Sequence, residues 1–308
     1  MRVAVIDIGS NSIKLLVASR APDGSLVEVR SHALDVRISK GIGAERPRLD
    51  RNAMARGIVA VTSLAAEAKS LRASRTFAVA TSAVRDASNG QEFRDRARAA
   101  TGIELRILTG PEEASLIGRG LTTDPALRSL RDFHVYDLGG GSLECLSFRD
   151  RTLESVVSLP LGCVRLTEKF VAHPSAPLGG AAAREIDRYV KDALAGSGFA
   201  LPVPPGFAVV GTGGTLTTVC AVDAARLNVP LAEANPLIEV SLLRDILAKV
   251  GSLDLAGRKA VRGHPHARAD VFPAALVTLL ALADLGSIRA FHHSFRNLRW
   301  GLAAEYFA

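Results

Sequence analysis

The residues best suited to chemistry come in two turns of the same make. Asp7-Ile-Gly-Ser-Asn-Ser12 and Asp137-Leu-Gly-Gly-Gly-Ser142 each end an apolar run with an aspartate, then follow it with glycine and small hydroxyl or amide side chains. Glycines let consecutive N–H groups converge where other residues resist. Converging N–H groups form a nest for an anion, and serine hydroxyls add neutral donors. An aspartate beside such a nest can hold a divalent cation, directly or through water. A third turn, Gly211-Thr-Gly-Gly-Thr215, follows a third apolar run. One glycine-rich turn alone reads as a plain hairpin, whereas three related turns point to phosphate oxygens as the ligand.

Further carboxylates and cations lie near these turns. Glu144 is two residues past Ser142, so the period of a strand puts both on one face. There it could orient a water or a metal, or simply be an exposed strand residue. Lys14 takes the matching place after the first turn, which makes the two grips electrically different. Glu113 sits in Thr109-Gly-Pro-Glu-Glu113. With Pro111 read as the first helical residue, Glu113 is third, and the pattern favours a capping-box role. Arg85 follows a strand candidate, Thr76 to Ala80, while Arg37, Lys40 and Arg165 lie beside turns. Each alone reads as a solvated surface charge. His264 and His266 lack a third ligand at a zinc spacing, so Arg262 to Asp270 reads as a loop whose Asp270 caps the next helix.

The elements that must position these residues are legible in outline. Val3–Ile8 and Ile13–Ala18 form one hairpin, and Phe133–Leu138 and Leu143–Phe148 another. Asp7, Gly9 and Ser12 superpose on Asp137, Gly139 and Ser142 at an offset of 130 residues, which suggests an internal duplication. Amphipathic helices are expected over 52–71 and 182–194. The stretch from Gly118 to Asp132, with Asp124-Pro125, is the expected domain junction, giving domains 1–122 and 123–308. Strands and helices mix throughout, so the class is α/β or mixed α+β, and two hairpin-led units facing each other would leave a cleft between them.

Composition bounds the rest. With 308 residues, 48% hydrophobic and 22% charged, the chain can fill two cores, and disorder is not the default. Asp7 interrupts the apolar N-terminus too early for a signal peptide. The apolar run from Val271 to Ala283 is too short to span a bilayer and reads as a buried helix. Three cysteines without CxxC spacing argue against a disulfide framework, so a reducing cytoplasm is expected, with no membrane association. The net charge of +7 suits polyanions, although 31 arginines against 7 lysines also fit a coding bias.

Seven segments in order resemble the exopolyphosphatase and guanosine pentaphosphate phosphohydrolase (Ppx/GppA) family over nearly the whole chain. They are Asp7-Ile-Gly-Ser-Asn-Ser12, Thr81-Ser-Ala-Val-Arg85, Gly110-Pro-Glu-Glu-Ala114, Asp137-Leu-Gly-Gly-Gly-Ser-Leu-Glu144, Leu159-Pro-Leu-Gly-Cys-Val-Arg-Leu166, Gly211-Thr-Gly-Gly-Thr215 and Arg268-Ala-Asp270. The resemblance implies a two-domain actin-like ATPase (ribonuclease H-like) fold with an interdomain cleft. It also implies roles that pattern does not assign. Glu113 would activate the attacking water, which overrides the capping preference. Asp137 and Glu144 would handle metal and water, with Mg²⁺ as the cofactor. Ser10, Asn11, Ser12, Gly139, Gly140, Ser142, Gly213 and Thr215 would bind phosphates, and Arg85 would hold the anionic chain. Three places depart from the family pattern: Leu143 stands where threonine is usual, Phe295-Arg296-Asn297 replaces a more glycine-rich stretch, and Pro273 stands among expected small residues. The end at Ala308 resembles the short, two-domain form.

The implied activity is metal-dependent removal of terminal phosphate from inorganic polyphosphate. The nearest alternative is the same chemistry on guanosine pentaphosphate, for which no base pocket is legible. Two others are an ATP-dependent kinase on the same superfold and a non-catalytic sensor of alarmone nucleotides. No nucleic-acid partner is expected, and the resemblance allows a homodimer.

Overall fold

The computed structural model describes residues 1–308. It divides into two compact units, Met1–Arg128 with Arg296–Ala308, and Ser129–Phe295.

In the first unit, β1 (Arg2–Ile8), β2 (Ser12–Arg20) and β3 (Leu26–Asp35) form an antiparallel meander. Helix α1 (Arg51–Ser70) follows, its first turn capped by Asp50, which accepts from the Asn52 and Ala53 N–H groups. Then come β4 (Arg75–Ala80), α2 (Ser82–Arg85), α3 (Gly90–Thr101), β5 (Leu105–Ile107) and α4 (Gly110–Thr122). The sheet order is β3-β2-β1-β4-β5, with β1, β4 and β5 parallel. Val3, Ala4, Val5 and Ile6 are all fully buried. Consecutive buried residues mean that both faces of the strand are covered.

The second unit repeats the plan. β6 (Phe133–Leu138), β7 (Leu143–Arg149) and β8 (Thr152–Leu159) are antiparallel neighbours. Helices α5 (Cys163–Phe170) and α6 (Gly180–Ala195) lead to β9 (Ala208–Thr212) and α7 (Gly214–Leu227). After β10 (Leu237–Glu239) come α8 (Val240–Gly251), α9 (Leu255–Ala260), α10 (Phe272–Gly286) and β11 (Ala290–His293). The sheet order is β10-β11-β9-β6-β7-β8. Most of α10 is buried, as its unbroken apolar run foretold. No helix is long and apolar enough to cross a membrane.

The duplication extends beyond the sequence matches. Ile8 pairs with Ile13 and Asp7 with Lys14, while Leu138 pairs with Leu143 and Asp137 with Glu144. In both hairpins the first strand also pairs in parallel with the strand that follows a helix, β1 with β4 and β6 with β9. The register even slips at matching places, between Val17 and Ala18 and between Ser147 and Phe148. A bulge is a built feature and not noise, so its repetition at the same offset supports a common origin for the two halves.

Two expectations are corrected. The chain leaves the first unit after Arg128, six residues beyond the expected 122/123 boundary, and its last helix, α11 (Leu298–Phe307), returns to that unit instead of staying in a domain 123–308. The physical reason is a close helix crossing. A Cβ on Gly301 would overlap the Leu116 carbonyl, and one on Gly120 would overlap the Asn297 carbonyl. Arg296 fastens the approach, donating to the Thr123 and Leu26 carbonyls while its guanidinium lies 4.0 Å from the Trp300 ring centroid. A Gly301→Ala variant should lose about 1–3 kcal/mol of stability by overpacking, measured by urea unfolding. Parental stability would show that the crossing can relax. Secondly, Asp270 does not cap α10. The cap position is Val271, without a side-chain bond, and Pro273 occupies the first turn.

Candidate functional site

In the first unit the turn between β1 and β2 is closed by the Gly9 N–H donating to the Ser12 carbonyl at 3.2 Å. Ser10, Asn11 and Ser12 are all buried. Neighbouring segments hold them in place. Ser39 Oγ donates to the Ser10 carbonyl, Arg37 Nε donates to Asn11 Oδ1, and Ser10 Oγ lies 3.3 Å from Ser82 Oγ. The Asn11 amide nitrogen is buried with no protein acceptor. A buried donor left without a partner is costly, and here it belongs to the nest that the sequence assigned to an anion.

Helix α2 begins beside that turn and ends in Arg85. Its Nη1 donates to Glu113 Oε2 at 2.7 Å and to the Leu108 carbonyl, and its Nε donates to Asp86. Ser10, Arg85 and Glu113 are thus brought together by short links. The helix start differs by one position from the pattern reading. Thr109 is the cap, Pro111 falls second, and Glu112 closes the capping box with the Thr109 N–H at 2.8 Å. Hydrogen bonds from Arg106 and Thr109 push the Glu112 carboxyl down to about 2. Glu113, one step further round the helix, is buried and takes Arg85.

Asp7 lies beneath the turn. Burial pushes its carboxyl above the ordinary range, and the charges of Lys14 and Arg299 pull it back. Arg299 comes from α11 and donates to the Leu15 carbonyl and Ser31 Oγ. Sequence reasoning missed Arg299, because nothing local marks a residue 284 positions from its partner Leu15.

The second unit carries the larger set of donors. The Gly139 N–H donates to the Ser142 carbonyl at 3.0 Å. The carbonyls of Gly139 and Gly140 accept from Cys163 and Val164, and that of Gly141 from Arg165 Nε. With the carbonyl side of the turn occupied, its N–H side is the one available to an anion. Asp137 and Glu144 are direct cross-strand partners and therefore share a face of the sheet. Both are buried, with Glu144 only 1% exposed, so it is not an exposed strand residue; its Oε1 accepts from Ser158 Oγ at 2.8 Å.

β9 delivers the third turn next to this pair, with Thr212 in register with Asp137. Gly213 has φ +94°, and a Cβ on it would overlap Asp137 Oδ1. Gly213 is also the cap of the 14-residue helix α7 and, being glycine, offers no side-chain cap bond of its own. Such a terminus attracts anions through its N–H groups and its dipole. Thr212 Oγ1 and Thr215 Oγ1 are buried without partners, and the Arg268 guanidinium packs where a side chain on Gly214 would lie. Thr212 and Arg268 were missed as site residues. Arg268-Ala-Asp270 is one of the seven segments of the resemblance and reads locally as part of a loop, and the tertiary approach to Gly214 reveals its place.

The three cysteines form no disulfide and are buried. Burial pushes the Cys220 thiol up to about 11, and burial with the Glu144 charge pushes Cys145 up as well. Neither is suited to act as a nucleophile.

Each unit thus offers a donor-rich turn and one or two buried carboxylates. Residues 16–306 match the Ppx/GppA phosphatase family. The chain belongs to that family. Its backbone is similar to an exopolyphosphatase from Cytophaga hutchinsonii, with a TM-score of 0.87 at 22% identity over 100% of this chain and 98% of that one. It is also similar to the Ppx/GppA family member of Aquifex aeolicus, with a TM-score of 0.78 at 24% identity over 99% and 97% of the two chains. An exopolyphosphatase-like protein gives a TM-score of 0.88 at 23% identity over 99% and 97%. As a Ppx/GppA phosphatase the chain is a hydrolase, and its two sheets with their helices are the two α/β domains of the actin-like ATPase fold.

Proposed function

We propose that this Ppx/GppA phosphatase is an exopolyphosphatase that hydrolyses the terminal phosphoanhydride bond of inorganic polyphosphate. The observation that carries the reading is the state of Glu113: buried, relieved of the capping duty by Glu112, and held by Arg85. A carboxylate fixed in this way suits a general base for water. Water oxygen attacks the terminal phosphorus, the bridging P–O bond breaks, Glu113 takes the proton of the attacking water, and orthophosphate and the shortened chain depart. The leaving group is already good, so the protein needs mainly to position and neutralise. The N–H side of the Gly139–Ser142 turn, the α7 N-terminus, Thr212, Thr215 and Arg268 supply donors to phosphate oxygens. In the first unit Ser10, Asn11 and Ser12 do the same.

The donor set fits a magnesium ion. Two buried carboxylates on one face, Asp137 and Glu144, offer hard oxygen ligands, and the missing side chain at Gly213 leaves room beside Asp137. No group of three or more acidic, histidine or cysteine side chains gathers anywhere. A two-carboxylate site suits Mg²⁺, which keeps waters and shares substrate oxygens instead of filling an all-protein cage. When bound, Mg²⁺ supplies neutralising charge to the phosphate oxygens.

The test is orthophosphate release from polyphosphate of defined length and from guanosine pentaphosphate, with and without Mg²⁺. Metal-dependent release from polyphosphate without any acceptor is expected. A requirement for an acceptor would establish a kinase instead, and binding without release would establish a sensor.

A further inference from the structure

We propose that Arg258 is a positioning residue, a buried clasp that holds Arg268 over the head of α7 without touching the ligand itself. The proposal rests on the reading of Arg268 as a donor to phosphate oxygens. Arg258 lies on α9 and is the largest fully buried side chain of the protein. Its hydrogen bonds all go to backbone carbonyls. Nε donates to Val250 at 3.0 Å, Nη1 to Pro174 at 2.9 Å and to Ala269 at 3.4 Å, and Nη2 to Ala176. Burial weighs against its charge, and the carboxylates of Asp270 and Asp254 favour it. Replacing buried charged groups by apolar side chains of similar volume is often neutral or stabilising. Stability alone is therefore a weak reason for an arginine here. What a guanidinium adds is a planar fork that fixes several acceptors at once.

The acceptors come from three segments, and one of them adjoins Arg268. Val250 belongs to the last turn of α8, while Pro174 and Ala176 lie in the connection from α5 to α6. Ala269 directly follows Arg268. Backbone bonds tie the same frame a second time. The Leu178 N–H donates to the Gly251 carbonyl and the Leu255 N–H to the Ser175 carbonyl, both at 2.8 Å. Arg258 thus joins a well-bonded frame to the one carbonyl that follows Arg268 in the chain.

From that anchor the Arg268 side chain runs to the first turn of α7. Its Nη1 lies 2.3 Å from where a Cβ on Gly214 would stand, and its Nη2 lies 4.0 Å from Cys163 Sγ. Cys163 is the first residue of α5, and its N–H donates to the Gly139 carbonyl. Arg268 therefore touches both helices that adjoin the Gly139 and Gly213 turns. Its Nε is buried with no protein acceptor. A buried donor is costly until a partner arrives, and an anion drawn to the α7 N-terminus supplies one. A side chain held in place beforehand spares the entropy of ordering it on binding. The clasp at Ala269 does that holding, at the backbone from which Arg268 projects.

The experiment is a double-mutant cycle on the full chain. Tripolyphosphate binding is measured by calorimetry for the parent, Arg258→Lys, Arg268→Ala and the double variant, with urea unfolding and orthophosphate release from polyphosphate in parallel. Lysine keeps the charge but replaces the fork with a single ammonium group. Arg258→Lys and Arg268→Ala should each weaken binding about tenfold, the scale of one charge-assisted hydrogen bond. The double variant should bind no more weakly than Arg268→Ala, because a clasp has no effect once the group it holds is gone. A merely structural role for Arg258 predicts a loss of stability without this coupling in binding. Should Arg258→Lys fail to fold, Arg258→Gln, with two amide donors and no charge, takes its place in the cycle. In the parent, NMR should find the Arg258 Nε–H protected from exchange with solvent, and free exchange there would overturn the clasp whichever variants fold. Parental binding in Arg258→Lys, parental binding in Arg268→Ala, or additive losses in the double variant would also overturn the proposal. The coupling without orthophosphate release would leave it standing and sink the exopolyphosphatase reading, and release without the coupling would do the reverse. A parent that binds no tripolyphosphate would overturn both.

Discussion

A Glu113→Gln variant is expected to lower kcat on polyphosphate by about 10²–10⁴-fold, the range of a lost general base, with little change in KM. Glutamine keeps the shape of the side chain and an oxygen for the Arg85 hydrogen bond, so the local packing around this buried residue should survive. What disappears is the ability to accept a proton from water. The neighbouring carboxylate provides the control. Glu112 closes the capping box with Thr109 and pairs with Arg106 of β5 at the surface. Glu112→Gln should cost at most roughly 1 kcal/mol, as capping changes do, and leave kcat nearly intact. Steady-state kinetics of the two variants side by side decide the matter. Equal kcat in Glu113→Gln and the parent would remove Glu113 from the reaction and return it to a structural role.

That one-residue distinction also shows where the sequence stops being readable. Threonine, proline and two glutamates mark a helix start without ambiguity, yet Thr109-Gly-Pro leaves open which residue is first. Register at a helix end is set by one hydrogen bond, and composition constrains it only to within a position or two. The hairpins were legible because strand periodicity, a glycine turn and a second copy 130 residues later all agreed. Two kinds of feature were not legible. Arg299 reaches its place through tertiary packing with nothing nearby in the chain to announce it, and Arg268, although part of a segment of the resemblance, meets Gly214 only through the fold. The return of α11 to the first unit depends on two glycines, Gly120 and Gly301, which in sequence look like helix-weakening residues. Their meaning lies in the backbone each one admits. Thr212 was passed over for the opposite reason, since a threonine closing an apolar strand is ordinary until its hydroxyl is found buried and unbonded.

Gly213→Ala should be severely damaging to the candidate site of the second unit. At φ +94° and ψ 172° the residue occupies a region that is essentially reserved for glycine, and an L side chain there costs about 1–3 kcal/mol. The strain is the smaller consequence. The added Cβ would overlap Asp137 Oδ1 and press on the Leu138 carbonyl, 2.8 Å away. Either the aspartate leaves its position beside Glu144 or the turn opens, and with it the cap of α7 moves away from Thr212 and Thr215. A displacement of about 1 Å in a positioning group can cost 100-fold in rate, so kcat should fall by at least that factor, and added Mg²⁺ should fail to restore it. Urea unfolding separates the two effects. A variant that loses stability but keeps its full rate would show that Asp137 tolerates displacement and would remove it from the proposed magnesium site. A variant that folds with modest loss yet barely turns over would tie the rate to the contact between this glycine and the carboxylate pair.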